Sequence, residues 1–299
     1  MPWLQLIRWK NLLIIFLTQF LAWWCVILPG APQVLTCTNF LCLALSTMLI
    51  AAAGYIINDY FDIKIDSINK PQKMVLEVSI PRKQAIIAHT ILNVIAILLA
   101  AYVAAQAHHF EWLLLQGCCS LLLWFYSTHF KRQYVTGNVV VAILTALTIV
   151  SLVIYEPSMH YFPKMVLLVY AYFAFMLTWI REIVKDMEDH IGDQTEGCVT
   201  MPIKKGLDYS TRFCIVLSVL VMLPLGYASI TLFQRNYTLL SLYITAVLII
   251  PIITWCLFLP WKTTTQHYHK ASSGVKAIML LGICSLLIYH FQLHTDYAR

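Results

Sequence analysis

The chain has 299 residues, of which 60% are hydrophobic and only 11% charged; its mean hydropathy is +0.75 and its net charge +6. A soluble domain carries about 25% charged residues, so this composition excludes an ordinary soluble fold and indicates a membrane protein. The positive balance does not indicate nucleic acid, because the basic residues are dispersed through short loops between apolar runs, where they act as topology signals.

In chain order, apolar stretches predict about nine membrane-spanning helices at residues 11–29, 38–58, 84–107, 111–130, 137–155, 163–182, 211–233, 237–260 and 275–294. Each is near the roughly 20 residues that a span requires. The first, preceded by Arg8 and Lys10, has the charge pattern of a signal peptide. It exits through Leu28-Pro29-Gly30 without a small-residue cleavage site, so a retained helix is expected. Two long connections, 59–83 and 183–210, are expected as loops. No domain boundary or repeat is visible, and a single integral membrane domain over 1–299 is expected. The nine cysteines form no Cys-x-x-Cys pair and read as buried free thiols. His108, His109, His267 and His269 read as ordinary residues at helix ends.

With the N-terminus in the cytoplasm, 17 of the 20 Lys and Arg residues fall on the cytoplasmic side. This places both long connections there, in an inner membrane if the source is bacterial.

Ten of the fourteen acidic residues crowd into 59–77 and 182–196. In the first segment Asn58, Asp62 and Asp66 recur every fourth residue, so successive side chains are offset by only about 40° on a helix. In the second, Asp186, Asp189 and Asp193 follow at i, i+3 and i+7, again on one face. Asp59 and Glu188 fall off these faces. Two oxygen-rich stripes suit Mg²⁺, which takes few protein ligands and leaves positions for substrate phosphates. Zinc would call for Cys or His, which the stripes lack. Lys70, Lys73, Lys131, Arg132, Lys185 and Lys204 flank the stripes and would clamp a diphosphate. There is no Ser-His-Asp arrangement, P-loop or Gly-x-Gly-x-x-Gly pattern. The reaction class that fits is ionisation of an allylic diphosphate and its capture by an acceptor.

Asn58-Asp59-x-x-Asp62-x-x-x-Asp66 and Asp186-x-x-Asp189-x-x-x-Asp193 resemble the two motifs of the UbiA superfamily of intramembrane prenyltransferases. The longer strings 58–71 and 181–193, with Thr200-Met-Pro-Ile203, Gly206, Tyr126-Ser127 and Gly137-Asn138, are similar to the digeranylgeranylglyceryl phosphate synthase-like group. The resemblance implies an all-α bundle of about nine spans around a central cavity, with Asp-rich cytoplasmic loops. It implies Mg²⁺ held by Asn58, Asp62, Asp66, Asp186, Asp189 and Asp193. Asp62, Asp66, Asp189, Asp193 and Lys131 would carry catalysis. Arg8, Asn11, Lys70, Lys73, Tyr126, Lys131 and Lys185 would bind substrate. Geranylgeranyl diphosphate would be the donor and a prenylglycerol phosphate the acceptor, with membrane lipid around them; no nucleic-acid or protein partner is implied.

This sequence departs from the family pattern where Trp9 replaces a Pro after Arg8, where Lys73–Ser79 follows the first motif, and where Tyr126 precedes Lys131 by five residues. These positions bear on the acceptor. An aromatic acceptor, as in quinone biosynthesis, is the alternative chemistry; for a phosphorylated one, Arg82, Lys83 or Lys205 would supply the extra charge. A cation transporter is the alternative class, disfavoured because no span carries a charged residue at its centre.

Overall fold

The structure is a computed structural model that describes residues 1–69 and 71–297; the side chains of Lys73 and of 293–297 lie outside that description. Among the described residues it is almost entirely helical, with one isolated bridge between Leu76 and Ile80. Two short helices, α1 (Pro2–Leu6) and α8 (Met201–Lys205), accompany the long ones: α2 (Trp9–Ala22), α3 (Cys37–Asn69), α4 (Arg82–Ala107), α5 (Leu113–Thr128), α6 (Thr136–Ile154), α7 (Tyr161–Thr195) and α9 (Leu207–Gln234). The remainder are α10 (Thr238–Tyr243), α11 (Ile250–Phe258) and α12 (Thr265–Tyr297), with α10 and α11 joined through a π-helical stretch into one rod.

Among the described residues, eight rods are long and apolar enough to cross a membrane. The expected span 111–130 corresponds to α5, which at 16 residues is not among these eight and follows a 3₁₀ turn, Phe110–Trp112. Large apolar side chains such as Leu98, Leu114, Leu223, Tyr227 and Leu257 face outward, as a lipid-facing surface requires. The nine cysteines carry no disulfide.

The two long connections are not loops at their beginnings. No Gly or Pro interrupts the chain from Tyr55 to Asn69, so α3 runs on for 33 residues before Pro71. At 1.5 Å per residue that is about 50 Å, against a hydrocarbon core of about 30 Å. α7, expected to end near residue 182, likewise continues to Thr195. Both acidic segments are therefore rigid helical extensions, and the sequence period is preserved where loops were expected.

Packing divides between the two ends. One core gathers α7, α9, α10, α11 and α12 around Ile183, Met187, Val221 and Tyr268. A second ties the far ends of α2, α3, α6 and α7 together around Phe40, Leu152, Tyr155 and Leu167. A third, small core packs Leu6 of α1 and Ile56 of α3 against Val75, Leu76 and Ile80. It anchors the 71–81 segment over the acidic end of the bundle. Gly54 lets α3 and α5 pack closely: a Cβ there would press on Leu123 of α5 at 2.8 Å.

Candidate active site

A cavity of about 680 Å³ runs into the bundle between α2, α3, α5, α6, α7 and α12. Along α3 it extends from Thr47 to Asp66, about 28 Å at 1.5 Å per residue. Its deep arm is walled by Ile14, Ile50, Leu115, Leu123, Leu144 and Leu147. Behind this arm Gln19, fully buried, donates to the carbonyl of Thr148 at 2.8 Å and to Thr47 Oγ1 at 3.3 Å. The mouth is lined by all six expected oxygen ligands, Asn58, Asp62 and Asp66 from α3 and Asp186, Asp189 and Asp193 from α7.

The two stripes are held in register by Asn69, the last residue of α3. Its amide nitrogen donates to the carbonyl of Asp189 at 3.0 Å, and its amide oxygen accepts from the Gly192 N–H at 3.0 Å. A Cβ at position 192 would overlap the Asn69 amide, so the glycine is required for this junction. Sequence reasoning placed Asn69 inside a matching string without giving it a role.

Each stripe has a different setting. Asp62, 4% exposed, accepts from Asn58 Nδ2 at 2.7 Å and forms a close ion pair with Lys131. Burial alone would lower the Lys131 ammonium, but Asp62 more than reverses this and holds it above the ordinary lysine range. Asp186 accepts from Asn138 Nδ2 of α6 at 2.8 Å, a neutral partner. Asp59, off the stripe by spacing, still lines the cavity and pairs with Arg8 at 2.6 Å; the guanidinium also lies 4.9 Å from the Tyr55 ring.

Among the described residues, no three His, Cys, Asp or Glu side chains converge as a self-sufficient metal site. The donor set is hard oxygen throughout, presented from two helices across an open space. That fits Mg²⁺, which is bound through one or two carboxylates with substrate phosphates completing its shell. It does not fit a cage built from protein alone.

Of the other expected substrate residues, Arg8, Asn11, Tyr126, Lys131 and Lys185 line the cavity. Lys70 lies outside the described residues, as does the side chain of Lys73. Lys185 is engaged by Glu182 at 2.9 Å, and so is Arg181 at 2.8 Å. The three residues suggested for an acceptor phosphate do not reach the cavity. Arg82 pairs with Glu77 at 2.6 Å on the surface, and Lys83 and Lys205 are exposed elsewhere. Sequence reasoning missed Lys276 of α12, which lines the cavity and donates to Asn11 Oδ1 at 2.5 Å. His269, read as an ordinary helix-end residue, also lines it and contacts Glu188 at 3.0 Å. His267 is packed against the Phe258 and Leu259 carbonyls.

This architecture defines a class: a helical membrane protein with an acidic, oxygen-lined mouth leading into an apolar arm. The chain belongs to the UbiA prenyltransferase family, whose model matches residues 18–273, and it is thus an integral membrane prenyltransferase. It is 27% identical over 291 residues to the digeranylgeranylglyceryl phosphate synthase of Methanosphaera stadtmanae, an alignment covering 95% of this chain and 97% of that one. Among solved structures, one described as digeranylgeranylglyceryl phosphate synthase in membranes superposes with a TM-score of 0.67 at 24% identity. It covers 97% of this chain and 98% of that chain. A UbiA homologue from Archaeoglobus fulgidus, bound to DMAPP and Mg²⁺, superposes with a TM-score of 0.64 at 16% identity over 93% of this chain and 99% of that one.

Proposed function

We propose that the enzyme transfers a geranylgeranyl group from its diphosphate to the free hydroxyl of a prenylglycerol phosphate, in a Mg²⁺-dependent reaction at the cytoplasmic face of the membrane. The observation that carries this reading is the polarity of the cavity of about 680 Å³, with carboxylates on two helices at its mouth and an apolar arm behind them. The end-to-end match to a digeranylgeranylglyceryl phosphate synthase supports the choice of donor and acceptor. The Archaeoglobus homologue, with DMAPP and Mg²⁺ bound, supports the metal. The lysine and arginine bias of the connections supports the orientation.

In this reading Asn58, Asp62, Asp66, Asp186, Asp189 and Asp193 would hold Mg²⁺ and, through it, the diphosphate. When bound, the metal neutralises charge that builds up on the leaving group. Lys131, kept protonated by Asp62, donates to the departing diphosphate oxygens, and Tyr126 beside it orients them. The apolar arm takes the prenyl tail and keeps water from the allylic carbon. The C1–O bond to diphosphate breaks, the acceptor oxygen bonds to C1, and the hydroxyl proton passes to the released diphosphate.

The test is incubation of purified protein with radiolabelled geranylgeranyl diphosphate, with and without Mg²⁺, against a panel of lipid and aromatic acceptors. The expected result is a metal-dependent product with the mass of a doubly prenylated glycerol phosphate. A prenylated aromatic product instead would replace the acceptor, and no diphosphate release with any acceptor would overturn the proposal.

A further inference from the structure

The cavity mouth has a second electrostatic side, distinct from the carboxylate stripes. Arg8, Arg181, Lys185 and Lys276 all line it. They come from four places in the chain: the break between α1 and α2, two turns of α7, and α12. On α7, at about 100° per residue, Arg181 and Lys185 lie about 40° apart, and the Asp186–Asp193 stripe begins about 40° further round the same helix.

Two carboxylates face this group. Asp59 pairs with Arg8, and Glu182 is shared by Arg181 and Lys185. Lys276 meets the neutral amide of Asn11, and the charges of Arg181 and Lys10 act on it. Four cations against two carboxylates leave an excess of two positive charges. The Arg181 Nε is buried with no hydrogen-bond partner. A phosphate monoester carries about −1.5 to −2 charges near neutral pH, which matches that excess. A Mg²⁺-loaded diphosphate, by contrast, is drawn to the carboxylate stripes.

Two of the four cations, Arg8 and Lys276, also sit where a second cavity, of about 510 Å³, meets the first. Gln5, Arg8, Asn11 and Lys276 line both. This outer cavity adds Lys10 and the apolar residues Met1, Leu4 and Trp9, so it combines cations with apolar surface, as an incoming phospholipid-like molecule requires. Arg8 adopts a left-handed backbone conformation, φ 52°, between α1 and α2. Non-glycine residues adopt this rarely, and here it accompanies a guanidinium turned onto α3.

We infer that Arg181, Lys185 and Lys276, with Arg8 at their edge, form the site that binds the acceptor's phosphate and so selects a phosphorylated lipid over a neutral one. The inference rests on the acceptor proposed above and moves Lys185 and Arg8 from the diphosphate to the acceptor. Lys276 is the residue to change, because its partner is a neutral amide and its removal strands no buried acid.

The experiment measures KM separately for geranylgeranyl diphosphate and for geranylgeranylglyceryl phosphate in wild type, Lys276→Gln, Arg181→Gln and Lys276→Arg. The KM for the phosphorylated acceptor should rise about 10-fold or more in the Gln variants, the loss expected of a charge-assisted hydrogen bond. The KM for the diphosphate should stay unchanged, and Lys276→Arg should restore most of the acceptor affinity. Parallel rises in both constants would assign the cluster to the diphosphate and overturn the inference, as would an unchanged acceptor KM. A second arm measures binding of the same glycerol-phosphate lipid, without Mg²⁺ or diphosphate, to protein in nanodiscs. If wild type turns over only other acceptors, the proposed function fails, and this arm still decides the inference. Binding weakened by Lys276→Gln supports the site; no binding, or equal binding, overturns it.

Discussion

Glu156, in the turn between α6 and α7, is 1% exposed, and Asp62, at the other end of the bundle, is 4% exposed. Glu156 accepts from three consecutive backbone N–H groups, Gln33 at 3.1 Å, Val34 at 2.9 Å and Leu35 at 2.8 Å, and contacts the Ser158 hydroxyl. Those donors are fixed to the main chain and close the end of the bundle. Asp62 instead meets two side chains, Asn58 and Lys131, and borders a cavity. Burial of an acid does not by itself separate structure from function. The donors do: peptide groups that cannot leave make a brace, whereas side chains facing open space leave a carboxylate ready for a ligand.

The strongest way to break this contrast is to neutralise each end. Asp62→Ala and Asp189→Ala should each lower turnover by at least on the order of 10²–10³-fold, measured as labelled diphosphate release, while the protein still inserts and elutes as folded. Wild-type-like rates in both would remove the distinction. Glu156→Ala should do the reverse. It leaves three donors unpaired at about 1–3 kcal/mol each when buried, so the thermal midpoint in detergent falls sharply while the KM values of the surviving folded protein hold.

Lys131→Met tests the Asp62 side from its cation. Removing one partner of a buried pair costs about 3–5 kcal/mol, so stability and turnover should both fall. Adding Asp62→Asn should recover thermal stability and leave the enzyme inactive, separating the two roles. The smallest effect is expected at the junction of the stripes: Asn69→Ala loses two hydrogen bonds at about 0.5–1.5 kcal/mol each. A reduced rate and an increased Mg²⁺ requirement, with a modest change in melting, would show that register between α3 and α7 matters to the chemistry.

Much of this was legible in the sequence. Hydropathy located the spans because lipid demands continuous apolar runs, and the helical period picked out the six stripe residues because their spacing puts them on one face. The ends of α3 and α7 were not legible, since polar residues after Asn58 and Glu182 read as solvent loops when no breaker is weighed. The cation cluster was hidden for another reason. Lys276 and Arg181 are far apart in the chain, and only the packing of α12 against α7 brings them to one cavity. Arg82, Lys83 and Lys205 looked equally suitable by charge, and tertiary structure alone turned them away.

The excess length of α3 and α7 has a further consequence. At 33 and 35 residues these helices are longer than the hydrocarbon slab requires, so their acidic ends let ionic reactants meet at the border between two phases. Inorganic product can dissolve directly into water, and the greasy product can slide sideways into lipid without crossing an aqueous gap. Neither species has to be dragged into the phase that rejects it, and the cost of burying free charge in the bilayer is avoided by where the helices end.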